Sequence, residues 1–153
     1  MSDITDPRID VHQYFIEIAE AVAKRSPCLS RQVGCILLDE HKHILSTGYN
    51  GPARGIEHCK VCSRTESGRD LYSCNAIHAE QNALLQCPDV NKIAVAYITI
   101  NPCLICARLL ANTSCKLVVF GTSYTQDSAI WFMDFWEDIL HREVINLRGI
   151  NSY

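Results

Sequence analysis

Residues 95–106 read VAYITINPCLIC, and the change of pattern inside this stretch indicates an α/β protein. Val95 to Thr99 is apolar and rich in β-branched residues, which is typical of a buried strand. Pro102 suits the first turn of a helix, because its missing N–H needs no partner there. Cys103 to Asn112 is therefore predicted to form a helix directly after the strand.

Elements on both sides of this stretch complete the fold prediction. Asp6-Pro7 is expected to start a first helix, whose apolar stripe at three- and four-residue spacing runs as far as Ser26-Pro27. Val33–Leu38 and Ile44–Tyr49 are predicted to be the strands of an antiparallel hairpin. The remaining elements are a loop over 50–75, helices over 76–87 and 128–141, the second capped by Ser128, and strands over 117–120, ended by Gly121, and 144–147. Together they predict a three-layer α/β/α sandwich around a mixed five-stranded sheet, with parallel crossovers in its second half.

The composition suits one domain spanning residues 1–153. Hydrophobic residues make up 48% of the chain and charged residues 20%, which are ordinary values for a globular protein. A net charge of −3 gives no general attraction to a phosphate polymer, so nucleic acid is not expected as a partner. No apolar run is long enough to cross a bilayer, and Met1 to Asp10 has no secretory pattern. A cytoplasmic location without membrane contact is therefore expected.

Nine cysteines are many for a chain of 153 residues. In a reducing compartment, such a number favours metal binding or chemistry over disulfides. Cys35, Cys87 and Cys115 belong to no motif and are expected to be small buried hydrophobic residues. The other six lie in or near motifs whose spacing is informative.

His78-Ala79-Glu80 and Pro102-Cys103-Leu104-Ile105-Cys106 form the strongest chemical signal in the chain. Either motif alone is a weak signal, because HxE and CxxC both occur by chance in unrelated sequences. Here each of them opens a predicted helix, and the two together match the signature of zinc deaminases. Cys103 and Cys106 stand three positions apart at a helix start, so both sulfurs lie on one face and can share one ion. The positive end of the helix dipole favours their thiolate forms. With His78 they give three ligands and leave the fourth tetrahedral position open for water, as catalytic zinc requires.

Glu80 lies two positions after His78, where it is well placed to reach a water on the metal. As a general acid–base, it would take the proton of that water and deliver it to the ring nitrogen beside the attacked carbon. It would then protonate the departing amine. The alternative is that Glu80 only stabilises the first turn of its helix.

Four segments resemble the deoxycytidylate (dCMP) deaminases, which belong to the zinc-dependent cytidine/deoxycytidylate deaminase superfamily. They are Ser30–Gly34 (SRQVG), Gly48–Gly51 (GYNG), His78–Ala83 (HAEQNA) and Thr99–Cys106 (TINPCLIC). The resemblance covers about residues 10–125 and is loose beyond Tyr124. It implies the cytidine-deaminase-like fold, the hydrolysis of dCMP to dUMP and ammonia, and a role in supplying the precursor of dTTP.

The resemblance also implies which residues contact the nucleotide. Asn50 is expected to reach the deoxyribose, although Asn-Gly is also a turn signal by itself. Tyr124 and Ala79 are expected beside the nucleotide. Arg31 is the candidate for the phosphate, with an ordinary solvated arginine as the alternative.

Many members of this family are homohexamers that dCTP activates and dTTP inhibits. Their effector site includes the GYNG loop, so Gly51, Arg54 and Gly55 are assigned to it by analogy. Some relatives are unregulated. The resemblance therefore implies an oligomeric enzyme and makes dCTP and dTTP its candidate effectors.

A second pair of cysteines, Cys59 and Cys62, forms another CxxC motif within the loop over 50–75. Cys74 closes the same loop, and Cys28 lies where some phage relatives have a ligand for an extra zinc. Four thiolates would give a closed tetrahedral structural site, and His58 could replace one cysteine. Free thiols in the loop, or a CxxC that arose by chance, are the alternatives.

Two other classes of function remain open at this point. A superfamily member that acts on dCTP, free cytidine or deoxycytidine, or tRNA adenosine would share the metal site, although the tRNA enzymes usually carry a basic surface. A non-catalytic zinc-binding module would use both CxxC pairs structurally. Glu80 argues against such a module, because a structural site has no use for an acid beside an open metal position.

Overall fold

The computed structural model describes residues 6–62 and 74–148. Four α-helices lie in these ranges: α1 (Val11–Ala23), α2 (Ala79–Gln86), α3 (Leu104–Ala111) and α4 (Gln126–Met133). A short 3-10 turn (Val90–Lys92) follows α2, and a π-helical segment (Asp134–Ile139) continues α4. The strands are β1 (Gly34–Leu38), β2 (Ile44–Tyr49), β3 (Gly51–Pro52), β4 (Ala76–Ile77), β5 (Val95–Ile100), β6 (Leu117–Thr122) and β7 (Glu143–Asn146).

Five of the strands form one sheet in the order β2-β1-β5-β6-β7. β1 pairs antiparallel with both β2 and β5, whereas β5, β6 and β7 run parallel. α3 connects β5 to β6, and α4 with its π-helical continuation connects β6 to β7. The predicted mixed sheet with its antiparallel opening hairpin is therefore confirmed. β3 and β4 form a separate antiparallel ribbon, called here the β3–β4 ribbon.

Alternation along the strands divides the core into two halves. Ile36 and Tyr97 face α1 and pack against Ile16. Cys35 and Ile98 point to the other face, into a core shared with α2, α3, α4 and the π-helical segment. Helices cover both faces of the sheet, which confirms the predicted three layers. Among the described helices, none has the length and apolar character that a membrane span needs.

The first helix starts later than the sequence suggests. α1 begins at Val11 rather than at Asp6-Pro7, and Asp10 is its cap. The Asp10 carboxylate accepts hydrogen bonds from the backbone N–H groups of His12 (3.0 Å) and Gln13 (3.1 Å). An aspartate at this position satisfies N–H groups that the first turn leaves unpaired, so the cap rather than the proline fixes the helix start.

The last helix also has a different cap from the one predicted. Thr125, not Ser128, precedes α4: its Oγ1 accepts a hydrogen bond from the backbone N–H of Ser128 (3.0 Å). The backbone N–H of Thr125 in turn donates to the Ser128 hydroxyl (3.2 Å), so the two residues form a capping box. The helix then widens into the π-helical segment, which buries Trp136 and directs its indole N–H to the carbonyl of Glu143 (2.8 Å).

Two strand boundaries differ from the prediction as well. Ala76 and Ile77 were expected in the helix over 76–87, but they form β4 with Gly51–Pro52, and α2 starts at Ala79. Gly121 was expected to end its strand, yet it lies within β6. A Cβ at Gly121 would come within 2.9 Å of the carbonyl oxygen of Thr99 on the neighbouring strand. The glycine therefore permits a close approach between two strands instead of ending one.

Candidate metal centre

Two helix starts carry the predicted metal ligands. His78 directly precedes α2, and its backbone N–H donates to the side chain of Gln81 at 2.8 Å, which closes the first turn. Cys103 directly precedes α3, and Cys106 lies in the first turn of that helix. α2 and α3 contact each other on the same face of the sheet, so their starts bring the three side chains together.

The three ligand atoms lie close enough to bind one ion. Nδ1 of His78 lies 3.2 Å from Sγ of Cys106 and 3.6 Å from Sγ of Cys103, and all three atoms lie within 4.8 Å of one another. Tetrahedral zinc, with Zn–S about 2.3 Å and Zn–N about 2.0 Å, separates a nitrogen from a sulfur ligand by about 3.5 Å. The donor set therefore fits zinc. Within residues 6–62 and 74–148, no other group of three His, Cys, Asp or Glu residues is as compact.

The two cysteines of the centre differ in acidity because they are hydrogen-bonded to each other. The pKa of the Cys103 thiol is lowered to about 4, chiefly by the hydrogen bond from the side chain of Cys106, with a smaller contribution from His78. The pKa of Cys106 is raised by the same hydrogen bond and by burial. Zinc requires both thiolates, so its binding would release the proton that Cys106 holds.

Glu80 is a buried carboxyl group beside this centre. It is 4% exposed, and its side chain is hydrogen-bonded to Cys106. Burial is the main cause that raises the pKa of Glu80 to about 7, so the group can both accept and donate a proton near neutral pH. It lies outside the compact ligand set. The neighbouring Ala79 is buried in the core, which leaves only its backbone to contact a ligand.

Three candidate substrate residues form a connected group. The guanidinium carbon of Arg31 lies 4.4 Å from the centre of the Tyr124 ring, a cation–π contact. The amide nitrogen of Asn50 donates to the backbone carbonyl of Arg31 (2.8 Å). The amide oxygen of Asn50 accepts hydrogen bonds from the Ser26 hydroxyl (2.7 Å) and the backbone N–H of Val33 (2.8 Å). Asn50 thus holds the segment that carries Arg31 against the end of β2, and its contact with a deoxyribose stays a prediction.

Asn101, a fully buried residue two positions before Cys103, was not singled out by the sequence patterns. Its side-chain oxygen accepts a hydrogen bond from the backbone N–H of Tyr124 (3.1 Å), and its own backbone N–H donates to the carbonyl of Thr122 (3.1 Å). It therefore joins the metal-bearing turn after β5 to the turn after β6 that carries Tyr124. The available signal was a polar residue at the end of an apolar strand, which needs a buried partner.

The residues assigned to an effector site lie around a surface cleft of about 950 Å³. Gly51 and Arg54 are part of its lining, and Gly55, in the adjoining turn, has a φ of 84°. Three further side chains that can carry positive charge line the same cleft: Lys24, Arg25 and His58. We call it the cationic cleft. Its walls come from β2, α2, the β3–β4 ribbon and the segments that follow α1 and β3, and none of the three ligands of the metal centre lines it.

All four cysteines predicted to bind a second zinc line one cavity of about 30 Å³, called here the thiol cavity. They are Cys28, Cys59, Cys62 and Cys74, and residues of the β3–β4 ribbon complete its wall. In the described part of the chain, however, no three of their sulfurs come within 4.8 Å of one another. His58 lines the cationic cleft and not this cavity. As expected, Cys35 and Cys115 are buried, and Cys87 is partly buried against the core.

Comparison with known proteins identifies relatives of most of the chain. The family model for the cytidine and deoxycytidylate deaminase zinc-binding region matches residues 9–122. Deoxycytidylate deaminase of Schizosaccharomyces pombe is 41% identical over 123 residues, and that of Saccharomyces cerevisiae is 38% identical over 120 residues. These matches cover 75% and 74% of this chain but only 38% of each yeast protein. Deoxycytidylate deaminase of Mycobacterium phage D29 is 38% identical over 123 residues, which cover 74% of this chain and 95% of the phage protein.

Solved structures support the fold. The dCMP deaminase of cyanophage S-TIM5, in complex with dCMP and dUMP, superposes with a TM-score of 0.74 over 94% of this chain and 100% of that chain, at 23% identity. RibD of Acinetobacter baumannii is less similar, with a TM-score of 0.58 at 20% identity, and the match covers 88% of this chain and 34% of RibD. The predicted cytidine-deaminase-like fold is therefore confirmed. With its family match over residues 9–122 and its zinc-compatible histidine and two cysteines, this chain belongs to the cytidine and deoxycytidylate deaminase zinc-binding family.

Proposed function

We propose that the chain is a hydrolase that deaminates dCMP to dUMP and ammonia. The observation that carries this proposal is the compact set of His78, Cys103 and Cys106 with the buried carboxyl of Glu80 beside it. Three relatives named deoxycytidylate deaminase, at 38% to 41% identity, support the choice of dCMP. We also propose that residues 1–153 act as one deaminase domain in the cytoplasm, where nine cysteines without a disulfide would stay reduced.

Proton transfer is the part of the reaction that the chain itself performs. Bound to His78, Cys103 and Cys106, zinc would supply the Lewis acidity that makes water a nucleophile near neutral pH. Glu80 accepts one proton of the attacking water and delivers it to the ring nitrogen beside C4. It then transfers the second proton to the amino group, which leaves C4 as ammonia. The pKa of about 7 that burial gives Glu80 suits this repeated uptake and release.

The group around Arg31 is proposed to hold the nucleotide end of dCMP. A guanidinium offers several N–H donors in a fixed plane to a phosphate, and the cation–π contact with Tyr124 orients that plane. Asn50 has a second amide N–H besides the one directed to the Arg31 carbonyl, and we assign it to the deoxyribose. The backbone of Ala79, between two residues of the centre, is assigned to the base.

Turnover of dCMP, deoxycytidine, dCTP and a tRNA anticodon stem, measured side by side, tests the substrate. We expect kcat/KM for dCMP to exceed that for deoxycytidine by about tenfold or more, because the phosphate adds charge-assisted hydrogen bonds. Equal values for the two would indicate a free-nucleoside deaminase. A preparation with full zinc content that turns over none of the four would indicate a non-catalytic zinc-binding module.

A second, structural zinc is proposed in the thiol cavity, held by Cys28, Cys59, Cys62 and Cys74. The support is that four thiols from separate parts of the chain line one small cavity. Four thiolates form a closed tetrahedral set without an open position, so this ion would have no part in the reaction. It would hold the segment with Cys59 and Cys62 against β4, which leads directly to His78.

Regulation by nucleotides is proposed for the cationic cleft, with dCTP as activator and dTTP as inhibitor. A triphosphate needs several cations close together, and Lys24, Arg25 and Arg54 provide them. Gly51 in the lining would allow a close approach of the nucleotide to the backbone, and Gly55 shapes the turn beside Arg54.

We further propose that the chain forms a homohexamer. The number six follows from the family resemblance alone. Large apolar side chains exposed on α3 and α4 support an interface between copies of the chain, namely Ile105, Leu109, Ile130 and Trp131.

A further inference from the structure

We infer that Gly48 is a positioning residue of the metal centre. Because it has no side chain, α2 packs directly on β2, and the depth of this packing sets where His78 and Glu80 lie. Cys103 and Cys106 belong to α3, so the geometry of the centre depends on how α2 is placed relative to the sheet. The test by kcat for dCMP, given below, rests on the proposed function, whereas the test by cobalt absorption spectra does not.

The close contact is between backbone atoms. A Cβ added at Gly48 would lie 2.3 Å from the nitrogen of Ala83 and 2.4 Å from the carbonyl oxygen of Ala79. No side-chain rotation can relieve such a clash, so the whole helix would have to move. Restoring an ordinary van der Waals separation requires a shift of α2 by about 1 Å. Ala79 is the residue between His78 and Glu80, so the shift would occur at the centre itself.

Two hydrogen bonds hold α2 at its present depth. Ser46 lies on the same face of β2 as Gly48, and its hydroxyl donates to the carbonyl of Ala83 at 2.8 Å. This carbonyl belongs to the last turn of α2, where acceptors lack a partner within the helix. On the exposed side of α2, the side-chain amide of Asn82 donates to the backbone carbonyl of Tyr49 at the end of β2 (2.8 Å). A steric limit at Gly48 and two hydrogen bonds thus define one position of the helix on the strand.

Gly34 offers a matched control on the opposite face of the sheet. A Cβ there would lie 2.1 Å from the carbonyl oxygen of Ala19 and 2.7 Å from the nitrogen of Ala23, both in α1. α1 carries no residue of the metal centre. Gly34→Ala and Gly48→Ala both create a clash with the backbone of a helix, so both should lower the free energy of unfolding. Gly34→Ala displaces α1, whereas Gly48→Ala displaces α2.

The test compares wild type, Gly48→Ala and Gly34→Ala with Co²⁺ in place of zinc, at a temperature where circular dichroism shows each protein folded. Gly48→Ala should change the d–d absorption bands of the cobalt centre and lower kcat for dCMP by about 100-fold, the loss expected for a misplacement of about 1 Å. Gly34→Ala should keep the wild-type bands, because α1 carries no residue of the metal centre. All three proteins carry Cys62→Ser in addition, so that cobalt bound in the thiol cavity does not contribute to the bands. Unchanged bands and kcat in Gly48→Ala, or equal changes in Gly34→Ala, would overturn the inference.

A second variant decides the matter if Gly48→Ala does not fold. Ser46→Ala removes a hydrogen bond that holds α2 without adding an atom, and it should alter the cobalt bands and lower kcat by about threefold to tenfold. Wild-type bands and kcat in Ser46→Ala would then overturn the inference. If the wild type itself does not turn over dCMP, the proposed function fails, while the cobalt bands still test the position of α2.

Discussion

Glu80 is the residue at which chemistry can be separated from metal binding. It lies outside the compact ligand set, so Glu80→Gln should leave the zinc content at the wild-type level. Glutamine cannot carry a proton, and kcat for dCMP should therefore fall by about 10²- to 10⁴-fold. Metal analysis and steady-state kinetics on the same preparation check both expectations. Glu40→Gln, in the exposed hairpin turn, is the matched control, and full activity in Glu80→Gln would contradict the proposed mechanism.

Residues whose relative positions are fixed locally could be predicted from the sequence. Cys103 and Cys106 are one helical turn apart, so their spacing alone places both sulfurs on one side of α3. The role of Asn101 could not be predicted in this way, because it depends on the turn after β6 lying beside the turn after β5. The contact of Arg31 with Tyr124 likewise joins segments distant in the chain. The metal ligands were thus predictable, whereas the contacts of Asn101, Arg31 and Tyr124 depend on which distant segments the fold brings together.

Helices and strands whose apolar residues recur at regular spacing were also predictable from the sequence. Elements too short to show such spacing were not. The strands and helices that make up the three layers were expected from their apolar patterns, with boundaries that differ by a few residues where Asp10 and Thr125 act as caps. The β3–β4 ribbon was missed, because strands of two residues are too short to show alternation. Two residue pairs that are distant in the sequence define it, Gly51 with Ile77 and Pro52 with Ala76.

A zinc ion in the thiol cavity would stabilise the β3–β4 ribbon, because residues of this ribbon form part of the cavity wall. Wild type should contain about two zinc ions per chain, and Cys62→Ser about one, because a closed structural site needs all four ligands. The midpoint of thermal unfolding should fall in the same variant, since metal bound only by the folded chain adds to the free energy of unfolding. Metal analysis and calorimetry measure the two effects.

Cys87→Ser is the control for this prediction, because Cys87 is partly buried but lies outside the thiol cavity. It should keep about two zinc ions per chain. One ion per chain in the wild type, unchanged in Cys62→Ser, would remove the proposed second site and leave the catalytic one untouched.

At the scale of the molecule, several of the positively charged residues lie in one cleft. The net charge is −3, yet Lys24, Arg25 and Arg54 line the same cleft. Tyr49 and Asn82, which are hydrogen-bonded to each other across the junction of β2 with α2, line it as well. A polyanion bound there would therefore contact the helix whose first turn belongs to the metal centre. A ligand whose affinity depends on the position of α2 could thus change the rate of the reaction without reaching the substrate.

Arg54→Ala tests whether the cationic cleft is the effector site. The dCTP concentration for half-maximal activation should rise about tenfold or more, because one charge-assisted hydrogen bond to a phosphate is lost. Turnover of dCMP is measured over a series of dCTP concentrations at fixed ionic strength, with each variant compared with its own rate without effector. Lys92→Ala, an exposed residue outside the cleft, is the control and should respond as the wild type does. A wild-type response in Arg54→Ala would mean that dCTP binds elsewhere. A wild type that binds no dCTP would contradict the proposed regulation, while the proposed deamination would still stand on the metal centre and Glu80.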